Sequence, residues 1–238
     1  MPHSWCNNAE LRRVQIERGD DVTFSLVFVP FYKQLFGSHG FERVLEVGAG
    51  TGHLALQLWR HVKRYDALEP SPGMHAIACE VLRESRVTLW NASAEEFDMH
   101  GRYDLVLCHM VAQCVENFRS FIGAIQALLA PSGTFVFAIP HPCFYNEYKN
   151  LIPEAEYRYM TERSRIVDFS ITRDPENAIR GVPYHHRPLS SYFKTLADNG
   201  FVITGLHEIM PDQEVATQFY GGCWQTPRYV AMEARLGA

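Results

Sequence analysis

The feature that most restricts the fold of this chain is the stretch VLEVGAGTGHLALQL, residues 44–58, in which an apolar run, a carboxylate and three alternate glycines lead into a helical pattern. Arg43 to Val47 is rich in β-branched and apolar residues, the pattern of a strand buried on both faces. Gly48, Gly50 and Gly52 then allow a sharp turn without Cβ clashes. From Thr51 onward, Leu54, Leu56, Leu58 and Trp59 mark an amphipathic helix. A strand, a tight turn and a helix start together form a place where a ligand can approach the backbone and meet N–H groups.

The detail of the turn narrows the ligand. No Gly-Lys-Ser/Thr follows Gly52, which argues against a Walker loop, and the G-x-G-x-x-G spacing of dinucleotide sites is not kept. The spacing is Glu46-x-Gly48-x-Gly50-x-Gly52. It resembles the first motif of the class I S-adenosylmethionine-dependent methyltransferases. That resemblance implies S-adenosyl-L-methionine as cofactor, lined by Glu46, Gly48, Ala49, Gly50 and Gly52.

Bulk properties are ordinary for a soluble globular protein. The chain has 238 residues, 47% apolar and 21% charged, which is enough for one α/β domain with a full core. The formal charge of -5 gives no general attraction to polyanions, so no nucleic-acid partner is expected. No apolar run approaches the roughly 18 residues of a membrane span, and MPHSWCNNAELRR has no apolar signal core. A cytoplasmic protein without a membrane partner is the expectation, as a monomer or homodimer. Six scattered cysteines without a C-x-x-C pair read as reduced thiols, and His141, Cys143, His185 and His186 lack any zinc-site spacing, so no metal is expected.

A second strand, Arg64 to Leu68, ends at Glu69 and Pro70, about twenty residues beyond the glycines. Doubly wound nucleoside-binding folds place a ribose-binding carboxylate there. Ser71 and Pro72 open a helix as N-cap and first helical residue. A third strand, Val87 to Asn91, leads into Ser93-Ala94-Glu95-Glu96-Phe97, which resembles the family's D-A-x-x-L segment beside the adenine. By that resemblance Ser93 or Glu95 accepts from the adenine amino group, and the Ala94 N–H faces a ring nitrogen.

A fourth strand, Tyr103 to His109, is similar to the family strand whose end, Cys108-His109, reaches the methionine part of the cofactor. A helix over 115–129, a turn at Ala130-Pro131-Ser132-Gly133 similar to the family's glycine turn, and a fifth strand, Thr134 to Ile139, follow. A helix from Leu189, a strand from Phe201 and a last strand from Arg228 close the chain. This alternation predicts an α/β fold with a mostly parallel, doubly wound sheet. The family resemblance, over 42–142 and 188–236, implies a Rossmann-like seven-stranded sheet with an antiparallel last strand. HRPLSSYFKTLADNGFVITGLHE looks like the small-molecule "methyltransferase type 11" group.

Two segments fall outside this core. Residues 1–41 contain the aromatic, helix-like LVFVPFYKQLF, which reads as a helical lid, and residues 143–187 form a long insertion that reads as a substrate cap. Within one domain of 1–238 the cofactor core is therefore 42–142 with 188–238. Tyr32, Phe144, Tyr145, Tyr184, His185 and Arg187 are the candidate acceptor-binding residues, an aromatic lining suited to a flat organic molecule. The central insert, Tyr157 to Asp174, shows little apolar periodicity and reads as mobile.

Methyl transfer asks mainly for positioning and, for an acceptor that must lose a proton, a base. His141, between two prolines after the fifth strand, His186, beside Arg187, and His109 are the candidates. The expected reaction is methyl transfer to oxygen or nitrogen of a small aromatic or heteroaromatic metabolite. A tRNA methyltransferase and a catalytically silent cofactor-binding protein are the alternatives.

Overall fold

The computed structural model describes residues 3–98, 101–171 and 173–237. Helices α1 (His3–Cys6) and α2 (Ala9–Glu17) precede a π-helical turn, Phe24–Phe28, that runs directly into α3 (Val29–His39). Pro30 has no N–H to donate to the turn before it, and the bond from Val29 N–H to the Phe24 carbonyl spans five residues, which widens the helix there. Strands and helices then alternate as β1 (Arg43–Val47), α4 (His53–Leu58), β2 (Arg64–Leu68), α5 (Pro72–Val81), β3 (Thr88–Trp90), β4 (Tyr103–His109), α6 (Phe118–Leu128) and β5 (Leu129–Pro140). The insertion holds α7 (Tyr145–Lys149), β6 (Arg163–Ile171) and β7 (Asp174–His186). The chain closes with α8 (Leu189–Asp198), β8 (Phe201–Ile209), α9 (Gln213–Tyr220) and β9 (Tyr229–Leu236).

Seven strands form one sheet in the order β3-β2-β1-β4-β5-β9-β8. The first five are parallel, and β9 runs antiparallel between β5 and β8, as the family resemblance implies. In this register Val47 lies beside Leu68, Leu68 beside Trp90 and His109 beside Ala138, so the carboxyl ends of β1 to β5 share one edge. Alternate residues of each strand feed opposite faces. Leu45, Val106 and Phe135 pack under Ile122 and Tyr192 on one side, while Val44, Leu105 and Val136 meet Tyr32 and Tyr65 on the other.

Three local expectations are corrected. The helix expected from Val115 starts at Phe118, because the Asn117 side chain accepts from the Ser120 N–H at 3.1 Å and caps it. Ala130–Gly133 is not a free turn but part of β5, where the β4 register shifts between Tyr103 and Leu105. Gly133 is required there, since a Cβ would sit 2.7 Å from the Tyr103 carbonyl oxygen. Ser71 stands at the α5 N-cap without a side-chain cap bond, its hydroxyl lying 3.3 Å from the Cys6 thiol instead.

The insertion departs most from its sequence reading. It is an antiparallel hairpin, β6 with β7, carrying its own small core of Ile152, Val167, Ile179, Val182 and Tyr184. Val167, buried to 8% exposure, and half-buried Phe169 supply the apolar anchorage that the Tyr157–Asp174 stretch was expected to lack. Trp5 and Leu11 pack on this core from the N-terminal helices. Asn8 pairs with the Arg180 backbone in both directions, donating to its carbonyl at 2.8 Å and accepting from its N–H at 2.9 Å. Buried Gln15 donates to Asp174 and to the Asn177 carbonyl. The N-terminal helices and the insertion are therefore interlocked. Among the described residues no helix is long and apolar enough to cross a membrane.

Candidate active site

The glycine turn after β1 is built to present a closed backbone. Gly48, Gly50 and Gly52 have φ of 74°, 57° and 79°, a region that side chains with a Cβ rarely adopt. A Cβ on Gly48 would lie 2.4 Å from Val111 Cγ2, so that glycine lets the loop after β4 close against the turn. The N–H groups of Gly48 and Ala49 both donate to the Leu68 carbonyl, that of Gly52 to the Ala49 carbonyl, and that of Gly50 to Glu69 Oε2 at 2.7 Å. A phosphate cradle needs such donors pointing at open space. Here four are engaged within the protein and a carboxylate stands among them.

Glu69 braces two elements at once, because its other oxygen accepts from the Ser71 N–H at 2.7 Å. At 6% exposure, burial pushes its pKa up to about 7, against the downward pull of those two N–H groups. Each carboxylate oxygen keeps a lone pair for a hydroxyl donor. Glu46 is buried more deeply and accepts from the Tyr65 hydroxyl at 2.8 Å. Burial pushes its pKa up to about 8; the Tyr65 bond opposes the rise and the Glu69 charge adds to it. Two buried carboxylates flanking one turn suit a cationic ligand that carries hydroxyls.

The segment after β3 differs from its expected arrangement. The Ser93 hydroxyl and N–H both donate to Glu96 Oε2, at 2.9 and 3.0 Å, so its hydrogen is spent on a local partner. Glu95 and Pro70 are exposed, whereas Ala94 is buried at 4% exposure. Glu96, which the sequence reading passed over, holds this turn together, and the Asn91 side chain ties it to the Glu69 carbonyl at 2.8 Å.

At the end of β4, Cys108 is fully buried and its thiol stays protonated well above the usual range because of that burial. His109 follows at the strand edge, half-buried, with Nδ1 3.2 Å from the Tyr32 hydroxyl. Its ring lies 4.5 Å from Phe28, 5.6 Å from Tyr32 and 5.9 Å from Phe24. Burial among these rings lowers its pKa to about 4, against a smaller upward pull from Asp21, so the imidazole is neutral near pH 7. Among the described residues nothing hydrogen-bonds its Nε2. The next residue, Met110, has φ of 57°, a left-handed conformation uncommon outside glycine and asparagine. Gln113, one turn later, donates to the Met110 carbonyl, while its buried Oε1 has no partner.

The other histidine candidates are held differently. His141 is 3% exposed, with Nδ1 accepting from the Cys143 N–H at 3.2 Å and Nε2 3.4 Å from Glu208, so both ring nitrogens face protein groups. Its pKa is lowered by burial despite Glu208. His186 donates from Nε2 to the Tyr159 carbonyl at 2.8 Å between Tyr157 and Tyr159. Its pKa falls through burial although Arg187 is its sequence neighbour; the Arg187 charge acts on His185 instead.

Arg187 is tied to the loop after β4. Its guanidinium donates to the carbonyls of Ala112, Val115 and Glu116 and lies over Phe118, pinning the loop after β4. His185 Nδ1 is 2.7 Å from the Ser164 hydroxyl, Tyr184 belongs to the cap core, and Phe144 packs on His141. Tyr145 does join the His109 region, because its ring lies 5.4 Å from Tyr229, which lies 4.9 Å from Phe28. Phe24, Phe28, Gln113 and Tyr229 were not singled out from sequence. The signal for the first two was present: Phe24, Phe28 and Tyr32 recur every four residues, one face of a helix.

These residues fit S-adenosylmethionine on observations of the chain itself: a turn whose N–H groups leave no phosphate cradle, two buried carboxylates beside it, and the orphaned Gln113 acceptor on the loop that touches Gly48. The family model described as a methyltransferase domain matches residues 28–203. The chain belongs to the class I S-adenosylmethionine-dependent methyltransferases. Among curated relatives of this methyltransferase, a malonyl-acyl-carrier-protein O-methyltransferase of Priestia megaterium is 29% identical over 97 residues, 40% of this chain and 35% of that protein. A ubiquinone biosynthesis O-methyltransferase of Rhodopseudomonas palustris is 30% identical over 98 residues, 40% of this chain and 39% of that protein. The chain thus spans well under half the length of either. A solved S-adenosylmethionine-dependent methyltransferase from Listeria monocytogenes superposes with a TM-score of 0.61 at 21% identity, over 83% of this chain and 92% of that one.

Proposed function

We propose that this methyltransferase moves the methyl group of S-adenosylmethionine to an oxygen or nitrogen of a small aromatic or heteroaromatic acceptor, with His109 as the base. The observation that carries the proposal is the placement of His109. Its imidazole is neutral, enclosed by Phe24, Phe28 and Tyr32, and next in sequence to the loop that abuts Gly48. His141 lacks a free ring nitrogen in this arrangement, so the order of candidates is reversed relative to the sequence reading. Similarity to proteins named as O-methyltransferases supports oxygen as one acceptor atom.

When bound, S-adenosylmethionine supplies an electrophilic methyl on a sulfonium. Glu69 would hold the ribose hydroxyls while remaining bonded to Gly50 and Ser71, and Glu46 and Gln113 would face the positively charged end. The rings of Phe28, Tyr32 and Tyr229 exclude water from the acceptor's path. With Nδ1–H directed to the Tyr32 oxygen, His109 Nε2 carries the lone pair and takes the acceptor's proton as its oxygen or nitrogen attacks the methyl in line. The acceptor would then carry the methyl and His109 the proton.

Methyl-labelled S-adenosylmethionine offered with a small-molecule extract and, separately, with total RNA tests the reading. Label in the small-molecule pool is expected. Label confined to RNA, or cofactor binding without transfer to either pool, contradicts it.

A further inference from the structure

Arg228 is half-buried and ringed by aromatic side chains. Its guanidinium carbon lies 3.7 Å from the ring centre of Tyr148, 4.3 Å from that of Trp224 and 5.6 Å from that of Tyr220. Among the described residues no acidic side chain lies within ion-pair distance of it and no carbonyl accepts from its N–H groups, so its in-plane edge is left to solvent or a ligand. Nearby Lys149 is accounted for, since its ammonium donates to the Ser170 carbonyl at 2.6 Å.

A second observation points the same way. Trp224, 6% exposed, has a buried indole N–H with no hydrogen-bond partner. A buried donor left unpaired costs about 1–3 kcal/mol. Aromatic stacking covers the faces of a guanidinium and leaves its in-plane edge, the geometry that takes a carboxylate with two parallel bonds. The position is also relevant: the Trp224 ring that flanks Arg228 lies 6.0 Å from Tyr229, which lies 4.9 Å from Phe28 beside His109.

We propose that Arg228 receives a carboxylate of the methyl acceptor, which makes the acceptor a small organic acid. The inference rests on the methyl-transfer reading above. Tyr148 and Trp224 hold the guanidinium in place, and the carboxylate sets which end of the acceptor faces His109.

The test divides a small-molecule extract by anion exchange at pH 8 into retained and unretained fractions, each offered to the full chain with methyl-labelled S-adenosylmethionine. The acceptor is expected in the retained fraction. For that acceptor, Arg228→Met should lower kcat/KM roughly ten- to hundredfold, mainly through KM, with cofactor affinity unchanged. Arg228→Lys should recover part of the loss. An acceptor found only in the unretained fraction, or an unaltered KM in Arg228→Met, overturns the assignment. Lost cofactor affinity in both variants also overturns it, by giving Arg228 a purely structural role. Absence of label in both fractions, with the cofactor bound, instead refutes the methyl-transfer reading itself.

Discussion

Tyr65 donates its hydroxyl to Glu46 across 2.8 Å, at a carboxylate only 1% exposed to solvent. Burial raises the folded-state pKa of Glu46 to about 8, above its unfolded value near 4.5. The native state therefore holds a proton that the unfolded chain releases between those limits. Stability tied to this group is fully present below pH 4.5 and is lost as pH rises through 8. Thermal denaturation of the ligand-free protein should show a midpoint that declines over this window, as stability falls by a few kcal/mol in order of magnitude. Glu46→Gln keeps the shape and should remove most of the slope, leaving the part due to Glu69, which ends near pH 7. Parallel profiles in the two proteins would show that Glu46 is ionised in the native state.

Glu69 is expected to hold the ribose while bracing the turn through Gly50 and Ser71. A hydrogen bond to a charged group contributes about 1.5–3 kcal/mol, so Glu69→Ala should weaken S-adenosylmethionine roughly ten- to a hundredfold by calorimetry. Equal affinity in mutant and wild type would remove Glu69 from the site.

Asn8 joins the N-terminal helices to the cap hairpin by its pair of bonds to the Arg180 backbone. Asn8→Ala removes two partly buried bonds and should cost about 2 kcal/mol in chemical denaturation. It should also raise hydrogen exchange along β7. Unchanged exchange in β7 would mean that the cap core holds the hairpin without this tie.

The parallel strands were legible because their physics is local. Arg43–Val47 and Arg64–Leu68 read as short apolar runs ending at a glycine and a glutamate, and both appear with those bounds. The cap hairpin was not legible, since β7 carries Pro175, Gly181 and Pro183, residues that argue against a strand. Gly181 is accommodated at φ of 67° by a bond from its N–H to Asp168, a device visible only once the strands pair. Helix α9 was missed although Asp212 caps it and Gly221 ends it at φ of 70°, signals that lay outside any motif. In the site, the glycines and the two carboxylates were readable because one short segment and one strand end carry them. Phe24, Phe28 and Tyr229 come from opposite ends of the chain, and the fold alone brings them to His109.

The central claim is that His109 takes the acceptor's proton as the methyl moves. It is tested most directly by single-turnover transfer of labelled methyl in His109→Gln, with cofactor affinity measured on the same sample. The account predicts a rate lower by roughly a hundred- to ten-thousandfold and cofactor affinity unchanged within a few fold. Its folded-state pKa of about 4 also places the acidic limb of the ligand-free enzyme's profile near that pH, and the limb should be absent from the variant. Transfer at the wild-type rate in His109→Gln, with the acidic limb intact, would contradict it.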